Sequence, residues 1–299
     1  MAIKGLGIVG ERINPGFRSA RQAIENEDFE AIQALAVRQA VAGVAYLNVN
    51  AGRRSKDDPD FMVDVIRAIQ QVVDIPLSFD YPDAAVQEVC LKAYDIEKAK
   101  GRIPVINSIT ETRWEMADLL RIRPAKVIVM ASERQHDGMA SRNKTSDDIC
   151  ATAKRLVKRL QDEYDMKADD IIVDISIGTL AADTEGLVAA ALDAVGRIGS
   201  DHDMRGVHMI GGLSNIAQQL PLREVNGIGL STSIECAFLT RAMPRGLDMI
   251  LGTPWKDYYL MEEDEPLLQA FDDILRLRGR EALRRMRALY TNTEQIPGG

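Results

Sequence analysis

Four short apolar runs in this chain each end on a carboxylate or a carboxamide: PLSFD at Asp80, IPVINS at Asn107, IIVD at Asp174 and MIGGLSN at Asn215. A carboxylate facing adjacent N–H donors makes a fork of two charge-assisted hydrogen bonds, while a carboxamide can both give and accept. Asp and Asn also favour strand ends because they cap the next helix or begin a turn. Asp83, Asp183 and Ser146, each directly before a helical pattern, are the better capping candidates. That leaves the four strand-end residues without a plain structural duty.

What is missing narrows the chemistry further. The three histidines, His136, His202 and His208, form no ligand spacing such as H-E-x-x-H, and the three cysteines, Cys90, Cys150 and Cys236, are too far apart for a zinc or dithiol motif. The cysteines are expected to be buried small apolar residues, and no built-in metal site is expected. No strand end carries a lysine. Imidazole-driven proton abstraction, Schiff-base chemistry and metal-assisted hydrolysis are therefore disfavoured. The acid–amide set instead suits a flat, neutral, nitrogen-rich ring, and the 2-amino-4-oxo-pyrimidine edge of pterins and folates has the matching alternation of donors and acceptors.

For these side chains to meet, their strands must run in parallel. Short β-branched runs alternate with longer amphipathic stretches along the whole chain. The expected strands lie near residues 7–13, 45–50, 76–80, 104–108, 126–130, 171–174, 206–212 and 247–252. Helical spacing separates them, as in Phe61, Val65, Ile66 and Ile69, or Ile149, Ala153, Leu156, Val157 and Leu160. Eight such strand–helix units predict a single-domain (β/α)8 TIM barrel. In a parallel barrel the C-terminal ends of all strands share one mouth, which gathers Glu11, Asn14, Asn48, Asn50, Asp80, Asn107, Asp174, Ser214 and Asn215. The competing doubly wound sheet would need G-x-G-x-x-G after its first strand. GLGIVG has that spacing but precedes the strand, and is read as chance.

Composition agrees with one globular domain, expected over residues 1–290, with a flexible tail at 291–299. The chain has 299 residues, 46% of them hydrophobic, and 37 basic against 45 acidic residues give a net charge of -8. That balance disfavours nucleic acid and anionic membrane as partners. The first apolar run is too short for a signal peptide and no later run could span a bilayer, so a cytoplasmic protein is expected. The last segment, MEEDEPLLQAFDDILRLRGREALRRMRALY, predicts a final helix broken at Gly279, with its arginines on a solvated face.

GERIN at 10–14, YLNVNAG at 46–52, the FD at 79–80, INS at 106–108, VD at 173–174 and GLSN at 212–215 together resemble the pterin-binding methyltransferases. The likeness is greatest to the methyltetrahydrofolate:corrinoid protein methyltransferases, and its motifs run in order over roughly residues 7 to 252. The resemblance implies a TIM barrel that holds the pterin through Asp80, Asn107 and Asp174, with Asn215 reaching toward N5 of the folate. It implies methyl transfer between tetrahydrofolate or methyltetrahydrofolate and the Co(I) corrinoid (cobalamin) of a separate corrinoid protein, with no metal bound by this chain itself, and a homodimer. Asn215 cannot supply a proton, so it is expected to donate a hydrogen bond while a proton reaches N5 through water near Asp174.

Gly212, Ser214, Gln218 and Arg223 resemble positions beside the family's folate site, although Arg223 could equally pair with a surface carboxylate. Glu11 and Asn14 could shape the mouth or touch the ligand, and Asn50 joins the candidate ligand set. DHDMRG at 201–206 is one place out of register with the D-x-H-x-x-G pattern that ligates cobalt, so the corrinoid is expected on a partner. Two other readings stay open. One is a pterin enzyme like dihydropteroate synthase, which carries a basic segment after the seventh strand where this chain has Leu213-Ser214-Asn215-Ile216. The other is a non-catalytic folate-binding subunit.

Overall fold

The computed structural model describes residues 3–291 except 137 and 226. The expected tail, Thr291 apart, lies outside the described residues.

Eight parallel strands form the predicted barrel: β1 (Gly7–Ile13), β2 (Tyr46–Val49), β3 (Leu77–Asp80), β4 (Val105–Ile109), β5 (Lys126–Met130), β6 (Ile171–Asp174), β7 (His208–Ile210) and β8 (Met249–Gly252). β1 to β7 pair successively along the sequence and β8 returns to β1, so that β7 and β8 are the two ends of the ladder. The β7–β8 seam has only one ladder contact, Gly212 to Leu251, with Leu251 N donating to Gly211 O at 3.0 Å. The expected strands are all present, with ends that differ from the sequence reading by up to two residues.

Side chains alternate across each strand, so the barrel has two separate apolar cores. Val9, Val105, Ile128, Ile172, Ile210 and Met249 fill the interior with Tyr46 and Leu251. A larger cluster joins the outward-facing residues, such as Leu47, Phe79, Val127 and Val173, to the surrounding helices. The helix Pro59–Val72 buries Phe61, Val65, Ile66 and Ile69 against that wall, and Ser146–Tyr164 buries Ile149, Ala153, Leu156, Val157 and Leu160, following the spacing in the sequence.

Two of the three expected caps hold. Asp83 accepts from Ala85 N at 3.0 Å, and Asp183 accepts from the backbone N–H groups of Gly186, Leu187 and Val188 at 2.8 to 2.9 Å. Ser146 is corrected: it is the first helical residue, and Thr145 caps the helix by accepting from Asp148 N at 3.2 Å. The hydroxyl one place earlier sits on extended backbone, the geometry a cap needs. Gly279 divides the last segment as expected, between helices Pro266–Arg276 and Gly279–Thr291. Two short hairpins decorate the rim after β5 and β7, pairing Glu133–His136 with Met139–Arg142 and Glu224–Val225 with Ile228–Gly229. The sequence reading did not contain them.

Candidate functional site

Strand alternation decides which polar groups enter the mouth. Two residues beyond the interior positions Val9, Tyr46, Val105 and Ile172 stand Glu11, Asn48, Asn107 and Asp174, and Asp80 stands in the same relation to Ser78. Asp80 is in register with Asn107, and Asp174 with Met130. The sequence therefore places its strand-end acids and amides in one layer above the apolar plug.

Within that layer the groups are coupled. Asn48 Nδ2 donates to Asp80 Oδ2 at 2.9 Å, and Asn107 Nδ2 donates to Asn48 Oδ1 at 3.3 Å. Behind them Gln87, fully buried on the helix Ala84–Ala93, donates through Nε2 to the carbonyls of Phe79, Tyr81 and Asn107 at 2.7, 3.0 and 2.8 Å. Gln87 thereby clips the end of β3 to the end of β4. Sequence reasoning missed it. The available signal was an amide on the apolar face of AAVQEVCLKA, beside Val86, Cys90 and Leu91.

Across the mouth, Asp174 Oδ1 accepts from Ser176 N at 2.6 Å. Burial pushes the Asp174 carboxyl up to about 6, the Ser176 hydrogen bonds oppose that rise, and the negative charge of Asp80 adds to it. Asp80 and Asp174 thus sense each other across the opening.

Asn215 stands on the single turn Leu213–Ala217 that follows β7, exposed at the rim. Its Oδ1 accepts from Gln218 Nε2 at 2.8 Å, and its Nδ2 lies so close to Gly212 that a Cβ there would come within 2.7 Å of it. Gly212 thus serves as the space into which the amide folds. The turn is tied to the barrel by buried Glu11, whose carboxylate accepts from Ser214 Oγ at 2.8 Å and from Thr253 Oγ1 at 2.7 Å. Thr253 is a second partner that sequence reasoning missed.

The remaining candidates are placed as follows. Asn14 Oδ1 accepts from Gly16 N at 2.8 Å and Asn50 Oδ1 from Gly52 N at 2.7 Å, so both spend their oxygens on shaping their own loops. Arg223 is exposed at the foot of the second rim hairpin, where its carbonyl accepts from Leu230 N at 2.7 Å. Among the described residues, no three His, Cys, Asp or Glu side chains are arranged to hold a metal ion, and no helix is long and apolar enough to cross a membrane. A cavity of about 310 Å³ lined by Ile3, Leu6, Ile8, Ala42 and the segment 254–258 lies outside the barrel wall and contains none of the mouth residues.

Fold and site together define a (β/α)8 barrel with acids and amides at its mouth. Residues 13–251 match the family described as pterin binding enzyme, and the chain belongs to that family. It is 24% identical over 253 residues to a methylcorrinoid:tetrahydrofolate methyltransferase from Eubacterium limosum, covering 83% of this chain and 84% of that protein. Similar solved structures include dihydropteroate synthases. That of Xanthomonas albilineans with 4-aminobenzoic acid has a TM-score of 0.55 at 17% identity, and that of Stenotrophomonas maltophilia has 0.56 at 18%; each comparison covers 98% of this chain and 93% of the other. At such identities the structures speak for the fold alone.

Proposed function

We propose that this pterin binding enzyme is a methyltransferase that moves a methyl group between N5 of tetrahydrofolate and the cobalt of a corrinoid carried on a separate protein. The observation that carries this reading is that Asp80, Asn107 and Asp174 stand at the C-terminal ends of their strands and an amide, Asn215, stands on the turn that follows β7 at the same end of the barrel. The name of the Eubacterium limosum relative supports the same reaction. The turn after β7, Leu213–Ala217, carries no lysine, which leaves the diphosphate departure of a dihydropteroate synthase without its expected cation.

In this reading Asp80, Asn107 and Asp174 hold the pterin edge, and Asn215 donates to N5 as the methyl carbon departs. The C–N bonding pair stays on N5, which takes a proton, while the reduced corrinoid supplies the electron pair for the new bond to carbon. A carboxyl held near pH 6 exchanges its proton readily with water at neutral pH, so water beside Asp174 is the route to N5. The rim turn carrying Asn215 would meet the corrinoid protein, and the working unit would be a homodimer.

The direct test mixes the protein with methyltetrahydrofolate and reduced free corrinoid and follows the corrinoid absorbance. Conversion is expected; none in either direction would sink the assignment. Asn215→Ala should lower turnover by roughly 100-fold with little change in folate affinity, as for loss of a group that acts on developing charge. Asp80→Ala should mainly weaken binding. Equal loss of affinity in both variants contradicts that division of labour.

A further inference from the structure

The amide chain at the mouth has a fixed polarity. A carboxylate oxygen only accepts, so the Asn48 atom 2.9 Å from Asp80 must be the NH2 nitrogen. Asn48 Oδ1 then faces Asn107 at 3.3 Å, and Asn107 must answer with its own NH2. Because the carboxamide is planar, Asn107 Oδ1 is left on the side away from Asn48. Asn48 is 0% exposed, whereas Asp80 and Asn107 are only half-buried, so the relay runs in the wall and its free ends face the mouth. Asp80 Oδ1, Asn107 Oδ1 and Asp174 Oδ2 are then the acceptors left over by this network, beside the second N–H of Asn107.

We propose that Asn48 is the positioning residue that sets the specificity of this mouth: by taking one N–H of Asn107 it fixes Asn107 Oδ1 as the acceptor on the far side, so the site takes a ring edge with an N–H donor at that point and rejects one carrying an oxo group there. The proposal rests on the pterin-site reading of Asp80, Asn107 and Asp174 and adds a residue that would touch no ligand. The physics is the asymmetry of buried hydrogen bonds, in which an acceptor facing an acceptor costs far more than a good bond gains.

Pterin and lumazine make the test, because lumazine carries 2-oxo where pterin has 2-amino, with a hydrogen on the adjacent ring nitrogen N1, and keeps the rest of the ring. Binding of each is measured by fluorescence titration at pH 7, where Asp174 is mostly ionised while the rings keep their N–H groups. Wild-type protein should prefer pterin by roughly 100-fold. In Asn48→Leu, Asn107 is free to turn its NH2 outward, and the preference should fall below about tenfold. In Asn48→Asp the new carboxylate still accepts from Asn107, so the preference should return, while affinity for pterin weakens as pH rises because the residue must share a proton with Asp80. Circular dichroism and the melting temperature report folding of each variant.

A preference unchanged in a folded Asn48→Leu, with both ligands weakened alike, would make Asn48 merely structural and overturn the proposal. Loss of the preference in folded Asn48→Asp would overturn it too. Wild-type protein that binds neither ring defeats the pterin-site reading itself, an outcome distinct from the other two.

Discussion

At the scale of single residues, the mouth owes its character to how each acid is partnered. Asp174 titrates near 6 because burial disfavours its charge and Asp80 adds repulsion. A pterin that donates to the carboxylate must displace whatever proton is there, so binding below pH 6 releases a proton. Affinity for pterin should therefore rise by up to about tenfold per pH unit between pH 5 and 6 and level off above. Asp174→Asn should flatten that profile. Titrations of both proteins from pH 5 to 7.5 decide it, and a wild-type curve with no bend near 6 would contradict the assignment.

Elements carry the precision that these residues need. The β3 and β4 ends are clipped by Gln87, whose single NH2 group serves three carbonyls. Gln87→Leu keeps the volume but removes a donor from those carbonyls, of which Asn107 O keeps Tyr81 N at 3.2 Å, and should cost about 1–3 kcal/mol. Since two of the three flank Asp80 and the third is that of Asn107 itself, pterin affinity should fall as well. Urea unfolding and pterin titration on one preparation would measure both, and an unchanged affinity would mean that the strand ends hold their register without the clip.

The same elements explain what could be read in advance. The shared position of Asp80, Asn107 and Asp174 was legible because the C-terminal ends of parallel barrel strands meet at one mouth. The relay through Asn48 was not, since it depends on register between β2, β3 and β4, which periodicity does not encode. Asn14 and Asn50 share the composition of site residues, yet each closes a turn with a nearby glycine. The hairpin at 133–142 went unseen because ERQH and MASR are largely exposed, with no alternation to mark them as strands. Thr145 and Ser146 are both good caps, and only backbone geometry chooses between them.

For the whole molecule, the weak point is the seam where β7 meets β8. A closed barrel normally satisfies every strand edge through its ladder, but here one bridge spans the gap. Side chains stitch the rest. At the mouth, Glu11 joins Ser214 to Thr253; at the opposite end, His208 Nδ1 lies 2.6 Å from Asp248 Oδ2, and Asp248 Oδ1 accepts from Met209 N at 2.9 Å. His208 Nε2 also lies 3.2 Å from Asp169, which is paired with Lys126. The Asp248 hydrogen bond holds the His208 imidazole above its ordinary value, while burial opposes that rise and Asp169 adds to it. Because the folded value is raised, the contribution is fully present below the unfolded value of 6.5 and is lost as pH climbs through the higher folded value. His208→Phe should thus cost about 1 kcal/mol more at pH 6 than at pH 8.5, a magnitude set by partial exposure of the pair. Urea unfolding of wild type and variant at both pH values isolates this contribution from the other histidines. A gap between the two proteins that is the same at both pH values would show that the charged form of His208 does not hold the seam closed.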